Sequence, residues 1–506
     1  MTFAWTDMFC GAGGSSTGLI AVPGFEVATA ANHWQTALDI HNANHPNTDH
    51  AHVDLHQEDP AFFRRTEGGW FSPACTKWSQ AGGAKNRPAI EEGLFADPHA
   101  DDVATRSRLL MFDVLRFVEH HQYDVIVVEN VVDIAVQSKY ALAWQVWRRD
   151  LTNLGYKHRV VSLNSMHAQY AGLPAPQSRD RLYVVAWRIG VPTPDLDRIL
   201  QPKAWCPRCE RIGYSRQAFR NGREAGRYRQ AYDYVHDGCG ALVEPGWLPA
   251  YTALDLSDLG TLIGERPKPI AEKTRARVAA GIARYWFSPF ITQVAGHTFE
   301  RRPGVRTWPA MDPLGTIDTT NGRALAIPME GRDGKHAAPL WEPMRTQTTR
   351  NETGLLVPSG GTWNEPAATF VASGNHHALV TQPLLMRNFT ARGDEGQMST
   401  PVTEWMRTIT TSANQSLIQH AGPRKPAPHV GEDAIRAAEK YVDECYLRML
   451  KTSEAAAGMA FPDTYEWQPD QAVKISDRNL VKAIGNAVTP PASRDIGYAI
   501  AESLAA

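Results

Sequence analysis

Residues 1–190 alternate short β-rich runs with longer amphipathic segments, and this alternation constrains the fold more than any other feature of the sequence. The runs are DMF from residue 7, VATAANHW from 27, DVIVVENV from 124 and RLYVVAW from 181. Such alternation is typical of a mostly parallel sheet covered by helices. Ligands of these sheets bind outside the carboxyl ends of the strands. We therefore expect a nucleotide-like ligand at the glycine-rich turn CGAGG, residues 10–14, which directly follows the first run.

Length and composition exclude several classes of protein. A chain of 506 residues is expected to form two or three domains, because single cores rarely grow past about 250 to 300 residues. No apolar run approaches the ~20 residues of a membrane span, and the N-terminus lacks the pattern of a secretory signal, so we expect a cytoplasmic protein. Six cysteines do not suggest a disulfide framework. Since 52 Lys and Arg face 54 Asp and Glu, any nucleic-acid surface must be local.

The region from about 200 to 440 is rich in Pro, Gly, Thr and Asn and predicts a separate, strand-rich domain. One phrase recurs there with variation, as in DPLGTIDTTNGRALAIP and EPMRTQTTRNETGLLVP, and its copies align on Thr316, Thr346, Thr369 and Thr408. The spacing favours repeated strand-turn-strand units over a solenoid. These units either form a structural ribbon or carry turns that reach nucleic acid. From about 440 the sequence is predicted to become helical again, through AIRAAEKYVDECYLRMLKTSEAAAG.

One cysteine lies in a polar, glycine-flanked loop where a packing role gains little. This residue, Cys75, occurs in FSPACTKWSQAGG. A lone cysteine is most often buried and structural. However, the apolar run DVIVVENV ends in Glu129, and a carboxylate at the carboxyl end of such a strand points into the ligand crevice. A thiol and an acid can thus share one site.

Polar residues also precede the last apolar run. Gln177, Arg179 and Arg181 occupy alternate positions as the chain enters RLYVVAW. Period-two strand geometry would place their side chains on one face. Arginines so placed can orient an anionic or carbonyl-rich substrate.

The motifs, taken in order, resemble those of the C5-cytosine-specific DNA methyltransferase family. DMFCGAGGSSTGL is similar to the first motif of the family, SPAC to the Pro-Cys motif, ENV to the acid motif and QSRDR to the QxRxR motif. RMLKTSEAAAGMAFPDTY is similar to the ninth motif and GNAV to the last. The resemblance covers about 1–190 and 440–506, and it implies a Rossmann-like, S-adenosylmethionine-dependent methyltransferase core with a β-rich target recognition domain inserted into it.

The resemblance also implies a role for each catalytic residue. Cys75 would add to C6 of cytosine and so make C5 nucleophilic. Glu129 would contact N3 and the exocyclic amine, Arg181 would bind O2, and Arg179 would support the catalytic loop. The target base would be flipped out of duplex DNA, because its C5 atom is inaccessible in the stack.

The implied cofactor site includes one departure from the family pattern. Phe9 and Trp34 fall where two aromatic residues sandwich the adenine, and Asp54 matches the acid that holds the adenine amine. The family usually has a carboxylate before the tryptophan, whereas this chain has His33, which can still hydrogen-bond a ribose hydroxyl. The remaining residues assigned to the cofactor are Gly11, Gly13, Pro73 and Asn486.

Two pairs of metal-ligand residues lie in the inserted region. Cys206 and Cys209 form a C-x2-C pair, and His236 and Cys239 form an H-x2-C pair about thirty residues later. Two such pairs suit tetrahedral structural zinc, the alternative being a chance arrangement. Six arginines at 211–229 separate the pairs and are interpreted as phosphate contacts or as a solvated basic loop.

The predicted organisation follows from the motifs. We expect a catalytic core at 1–190, a target recognition domain at 191–440, and a C-terminal segment at 441–506 that returns to the core. The recognition domain would contain a zinc knuckle at 204–242 and the β-repeats at 290–420.

Duplex DNA is the expected partner of a monomeric protein without a membrane segment, and nothing in the sequence indicates a companion endonuclease. Two other functions fit the same residues. An RNA (tRNA) cytosine-C5 methyltransferase would share the catalytic set, although the large, basic, β-rich insert favours DNA. A DNA-binding protein with a degenerate core is suggested by His33 and by Ala74, where the family prefers proline. That alternative leaves Cys75, Glu129 and both arginines without a use.

Overall fold

The computed structural model describes residues 2–73, 102–255, 257–258, 260–272, 440–470 and 473–505, together with short segments between 274 and 439. Cys75 lies outside these residues, as do Ala74 and the four threonines on which the repeated phrases align.

A seven-stranded sheet forms the centre of the molecule. Its strands are, in chain order, β1 (Phe3–Met8), β2 (Phe25–Asn32), β3 (Asp49–His52), β4 (Gly68–Phe71), β5 (Val125–Asn130), β6 (Tyr156–Asn164) and β7 (Asp180–Arg188). The spatial order is β3-β2-β1-β4-β5-β7-β6. The first five strands in this order are parallel, and β7 runs antiparallel between β5 and β6. The predicted Rossmann-like, mostly parallel α/β fold is therefore confirmed.

Helices flank this sheet, and some of them cover its two faces. They are α1 (Gly14–Ile20), α2 (Gln35–Asn44), α3 (Asp102–His121), α4 (Asp133–Val136), α5 (Ala141–Asn153), α6 (Thr452–Gly458), α7 (Asp477–Asn486) and α8 (Pro490–Ala505). In β5, Ile126 and Val128 pack with α3 and α5, whereas Val125 and Val127 pack on the opposite face with α1 and α8. Because both faces are buried, this strand reads as a continuous apolar run.

Helices α1 and α8 come from opposite ends of the chain and pack closely. A Cβ atom on Gly18 would lie 2.3 Å from the carbonyl oxygen of Pro490 and 2.0 Å from Oγ of Ser493. The hydroxyl of Ser493 donates a 3.2 Å hydrogen bond to the carbonyl of Gly14. Gly18 is thus required for the contact with the C-terminal helix.

The inserted region contributes antiparallel sheets. Four strands form the metal module (residues 203–243), namely β8 (Lys203–Cys206), β9 (Arg211–Phe219), β10 (Tyr232–His236) and β11 (Leu242–Val243), in the order β11-β10-β9-β8. A five-stranded sheet has the order Thr261–Leu262, Cys445–Met449, Arg323–Pro328, Phe290–Gln293 and Thr307–Pro309. A three-stranded sheet has the order Ser399–Pro401, Leu384–Arg387 and Gln415–Ile418. Gln177–Ser178 and Leu314–Gly315 form a short parallel pair.

The prediction of a continuous helical stretch after residue 440 is wrong at Cys445–Met449. These residues form a strand between Thr261–Leu262 and Arg323–Pro328. Pairing with strands more than a hundred residues earlier overrides the local helical preference. Helix α6 begins only at Thr452.

Among the described residues, no helix has the length and apolar character needed to cross a membrane.

The contact between α1 and α8 predicts that Gly18→Ala destabilises the protein. The new methyl group would overlap backbone atoms of Pro490 and Arg494, which cannot move without displacing α8. We expect a loss of about 1–3 kcal/mol, measured as a lower melting temperature in scanning calorimetry. Gly246→Ala is the control, since a Cβ there meets nothing within 4 Å. Equal melting of both variants and the wild type would contradict this packing.

Candidate active site and metal centre

Four loops that the sequence analysis singled out meet at one edge of the central sheet. The parallel strands β1, β4 and β5 end there, and the antiparallel strand β7 begins there. The glycine-rich turn follows β1, and Pro73 follows β4. Glu129 is the second-last residue of β5, and Arg181 is the second residue of β7. Segments remote in sequence thereby share one crevice, as the topology of parallel sheets requires.

Glu129 and Arg181 form an ion pair at this edge. Nε of Arg181 lies 2.9 Å from Oε1 of Glu129, and their side chains are 14% and 10% exposed. Glu129 is paired with Tyr183 across the ladder, so Arg181, two residues before Tyr183, lies diagonally on the same face. A nearly buried charge pair is weak evidence for stability, and removal of either partner leaves an uncompensated charge.

Asn130 connects the end of β5 to the segment that leads toward Cys75. Its Nδ2 donates a 3.4 Å hydrogen bond to the carbonyl oxygen of Pro73, and its Oδ1 accepts a 2.8 Å bond from the N–H of Val131. Cys75 follows Pro73 by two residues in the sequence. Sequence analysis did not assign Asn130 a role, although it stands beside Glu129 in the acid motif.

Arg179 is buried and binds the C-terminal segment. Its Nη2 donates to the carbonyl oxygens of Gly485 and Ala487, at 3.1 and 3.0 Å. Gln177 likewise donates to the carbonyl of Gly458, at 3.3 Å. The three polar residues that were predicted to share a face thus have different partners, since Gln177 and Arg179 hold C-terminal backbone and Arg181 meets Glu129. The backbone on both sides of Asn486 is held by Arg179.

The turn after β1 has an unusual backbone. Phe9, Gly11 and Gly13 have positive φ angles of 58°, 56° and 92°. A Cβ on Gly13 would lie 2.6 Å from the hydroxyl of Tyr465, whereas one on Gly11 would meet nothing within 4 Å. Glycine is thus required at 13 by close packing, and the backbone at Gly11 faces open space. Phe9 adopts a conformation that is uncommon for a large side chain, and such strain often marks functional sites.

The side chains assigned to the cofactor have different exposures. Phe9, Trp34 and Asp54 are half-buried, whereas His33 and Asn486 are exposed. The N–H of Trp34 donates to Oδ1 of Asn32 at 2.9 Å, and Val53 donates to the carbonyl of Asn32 at 3.2 Å, which joins the ends of β2 and β3. Nζ of Lys482 lies 4.2 Å from the centre of the Trp34 ring, a cation–π contact.

Buried polar side chains form a hydrogen-bonded series that begins at Asp7, two residues before Phe9. Oδ2 of Asp7 accepts hydrogen bonds from Ser15 and Ser16, at 2.5 and 2.6 Å. Ser16 in turn contacts Nε2 of His41 at 3.0 Å, and Nδ1 of His41 is 2.8 Å from Nε2 of His50. Burial raises the pKa of Asp7 to about 6, and the two serine hydroxyls oppose this shift. Burial lowers the pKa of His41 well below its usual range.

The four predicted metal ligands converge. Their ligand atoms all lie within 4.8 Å of one another. The sulfur atoms of Cys206 and Cys239 are 3.5 Å apart, and Nδ1 of His236 lies 3.3 Å from Cys239 and 3.7 Å from Cys209. These separations are far longer than a disulfide bond and match the edges of a tetrahedron with ~2.0–2.3 Å metal–ligand bonds. Three thiols and one imidazole suit zinc.

The arginines that separate the metal-ligand pairs are largely paired with acids. Four of the six form ion pairs, namely Arg216 with Asp237, Arg220 with Asp233, Arg227 with Asp133 and Arg229 with Glu244. The phosphate-contact interpretation did not anticipate these carboxylate partners. Three of the four acids lie within residues 233–244. The net charge of residues 211–244 is therefore closer to zero than the arginines alone would indicate.

His167 lies at the contact between the central domain and the metal module. Its ring makes edge-to-face contacts with Tyr228 and Tyr234, at centroid distances of 4.7 and 4.9 Å. Among the described residues, neither ring nitrogen has a hydrogen-bond partner. Burial, with a smaller contribution from Arg229, lowers the pKa of His167 to about 3.

The mostly parallel sheet, with a glycine-rich turn at the carboxyl end of β1, is typical of α/β proteins. Ligands of such proteins, often nucleotides, bind outside the carboxyl ends of the strands. Comparison with protein families then specifies the class. Residues 3–203 match the model of the C-5 cytosine-specific DNA methylase family. Over these residues the match confirms the resemblance carried by the motifs, and it supports a methyltransferase.

Comparison with solved structures found proteins that share low identity with this chain. A prophage-encoded protein of E. coli, assigned as a DNA modification methyltransferase, is 19% identical with a TM-score of 0.30, and the match covers 44% of this chain and 62% of that one. The Dnmt2 methyltransferase of S. pombe is 14% identical with a TM-score of 0.43, over 100% and 99% of the two chains. The methyltransferase EhMeth of Entamoeba histolytica is 10% identical with a TM-score of 0.43, over 100% and 99%. A search of curated protein sequences found no match.

The environment of His167 predicts an acid-sensitive contribution to stability. Because its folded pKa of about 3 lies below the unfolded value of ~6.5, the contribution is full above pH 6.5 and is lost as the pH falls toward 3. Between pH 7.5 and 5 this loss is about 2 kcal/mol. We expect the melting temperature of His167→Phe to fall less between pH 7.5 and 5 than that of the wild type.

Scanning calorimetry of both proteins at several pH values measures this difference. Any cost of the larger ring is common to all pH values and cancels in the comparison. His120→Phe, at an exposed position, should retain the wild-type pH dependence. An unchanged pH dependence in His167→Phe would show that this ring is not the source.

Proposed function

We propose that this protein transfers a methyl group from S-adenosylmethionine to C5 of a flipped-out cytosine in duplex DNA, through a covalent bond between Sγ of Cys75 and C6. The observation that carries this proposal is the nearly buried Glu129–Arg181 pair at the edge of the sheet. The Asn130–Pro73 contact supports it, because it brings the chain that leads to Cys75 beside the end of β5.

The chemistry requires these residue types. Addition of the Cys75 thiolate to C6 converts the ring into an enamine, whose C5 can then form a bond to the methyl carbon. Glu129 would stabilise the charge that develops at N3, and Arg181 would do so at O2. After transfer, a base removes the C5 proton, the C5–C6 double bond forms again and the thiolate leaves. Bound S-adenosylmethionine supplies the methyl group.

Residues of the β1 turn and of the ends of β2, β3 and α7 would hold S-adenosylmethionine. Phe9 and Trp34 retain exposed aromatic surface for adenine, and Asp54 is half-buried beside them in the sheet order. Gly11 leaves open space above the turn. His33 is exposed and would contact a ribose hydroxyl in place of the usual carboxylate. Gly13, Pro73 and Asn486 complete the proposed set.

Zinc bound by Cys206, Cys209, His236 and Cys239 would have a structural role, because four protein ligands leave no open coordination position. We further propose that 191–440 recognise the target sequence and that 1–190 and 441–506 form the catalytic domain. Duplex DNA as the substrate is supported by the family match and by the size of the insert.

The mechanism predicts a trapped adduct with 5-fluorocytosine, because this base carries at C5 a fluorine, which a base cannot remove, in place of the proton that must leave. Bisulfite sequencing of DNA from cells that express the protein first identifies the methylated sequence. A duplex with 5-fluorocytosine at that position, incubated with S-adenosylmethionine, should then form a covalent complex that survives denaturing electrophoresis. Cys75→Ser should form none, and Arg181→Ala should slow methyl transfer by roughly 10²–10³-fold.

Cys445→Ser is the matched control, since Cys445 is a buried cysteine outside both sites and should leave adduct formation intact. Adduct formation by Cys75→Ser would refute the covalent mechanism. Methyl transfer to tRNA without transfer to duplex DNA would show that RNA, and not DNA, is the substrate. Absence of transfer to either nucleic acid would refute the proposed enzyme.

The metal centre predicts one zinc ion per chain, measured by mass spectrometry of the metal content of purified protein. Cys239→Ser should lower this content, because loss of one thiolate weakens a four-ligand site. Cobalt exchanged into the wild-type site should give the visible absorption of a tetrahedral thiolate complex. Cys445→Ser should keep its zinc, and a wild-type protein that binds no zinc would contradict the assignment.

A further inference from the structure

Residues 224–228 of the metal module, the docking segment, lie against the central domain beside the candidate active site. The segment belongs to the connection between β9 and β10. Ala225 is buried in the same apolar cluster as Ile126, Val128 and Val184 of the central sheet. The N–H of Gly226 donates to Oγ of Ser162 at 3.0 Å. A part of the inserted region is thus built into the core of the methyltransferase domain.

Through Arg227, the docking segment holds the start of α4, the helix that follows β5. Nη2 of Arg227 lies 2.7 Å from Oδ1 of Asp133, whose side chain is 1% exposed. Asp133 is the first residue of α4 and follows Glu129 by four residues. In the part of the chain that the structure describes, Arg227 is the cation that compensates this carboxylate. A buried carboxylate without a counter-charge is unfavourable, so Arg227 constrains the path of the chain directly after Glu129.

The same segment holds the start of β7. The N–H of Tyr228 donates to Oδ1 of Asp180 at 3.0 Å. Asp180 directly precedes Arg181. Adjacent residues of the docking segment therefore bind the residue four positions after Glu129 and the residue directly before Arg181.

The metal ligands lie at the opposite end of the hairpin that carries the segment. Cys206 and Cys209 precede β9 and His236 ends β10, whereas the docking segment connects the other ends of these strands. Ser215 of β9 and His236 of β10 are paired in the ladder. A bound metal would fix the two strands at one end and so limit the positions available to the segment at the other.

We propose that the metal module positions the Glu129–Arg181 pair and that Arg227 is the positioning residue through which it acts. The proposal rests on the proposed function of this pair. Without Arg227, Asp133 must find water or another donor, which displaces the start of α4 and relaxes the end of β5. Misplacement of a reacting group by about 1 Å can lower a rate by about 10²-fold, so a residue outside the crevice can control the rate in this way.

The test compares Arg227→Ala with Arg227→Lys and with a matched control. Arg188→Ala is that control, because Arg188 also forms a 2.7 Å ion pair, with Asp124, between β7 and the chain beside β5, but at the opposite edge of the sheet. Hydrogen exchange of peptides over 129–135 and 180–183 is measured by mass spectrometry, together with kcat, KM and the melting temperature. Exchange reports local order and does not depend on activity.

We expect Arg227→Ala to exchange faster in both peptides and to lose about 10- to 100-fold in kcat, with an unchanged KM for S-adenosylmethionine. Arg227→Lys should recover most of both, since it restores a cation. Arg188→Ala should change neither the exchange of these peptides nor kcat. Removal of zinc from the wild type should accelerate exchange in the same peptides.

The outcomes separate this inference from the proposed function. If the wild type is active and Arg227→Ala has the same kcat and the same hydrogen exchange, the positioning role is wrong and the proposed methyltransferase activity is unaffected. A wild type without methyl transfer would refute the proposed function, and the exchange data would still report whether Arg227 orders the two strand ends. Unchanged exchange after zinc removal would overturn the part played by the metal.

Discussion

The buried guanidinium of Arg179 joins the central sheet to the C-terminal segment, and the crevice depends on this connection. An arginine removed from water needs acceptors, and Arg179 finds them in the carbonyls of Gly485 and Ala487, which lie 306 and 308 residues away in sequence. Helix α8 completes the same connection, since Ile496 and Ile500 belong to the core face that contains Trp5 and Val127. The family match ends at residue 203, but the sheet that it covers is closed by residues near the C-terminus.

The fold was predictable where strands are apolar on both faces or directly precede a motif. The runs around residues 7, 27, 124 and 181 all became strands of the central sheet. Gly68–Phe71 was not predicted, because two of its four residues are glycines. It is a strand because β1 and β5 pair with it on either side. Glycine is needed at 68, because a Cβ there would lie only 2.5 Å from the ring of Trp5. Cys445–Met449 shows the reverse error, since a local helical pattern lost to pairing with distant strands.

The candidate site was predictable in its residue types but not in its contacts. The family resemblance singled out Glu129 and Arg181 separately, and the register of β5 and β7 shows why they meet. The bonds from Asn130 to Pro73 and from Arg227 to Asp133 join residues 57 and 94 positions apart, and no local pattern indicates such partners. His33 is exposed, so this departure from the family carboxylate does not disturb the packing of the core.

The arginines of the metal module differ in how readily they can leave their acidic partners, and the burial of those partners decides the difference. Arg216 and Asp237 are both more than half exposed, and such pairs contribute about 0–1 kcal/mol, so a phosphate group can displace the acid at little cost. Arg227 is released less readily, since Asp133 is 1% exposed and would be left as a buried carboxylate without its counter-charge. A run of arginines in the sequence therefore contains two kinds of residue. Arg216, paired with an exposed acid, remains available to a phosphate group of the proposed substrate, whereas Arg227, paired with a buried acid, belongs to the architecture of the proposed active site.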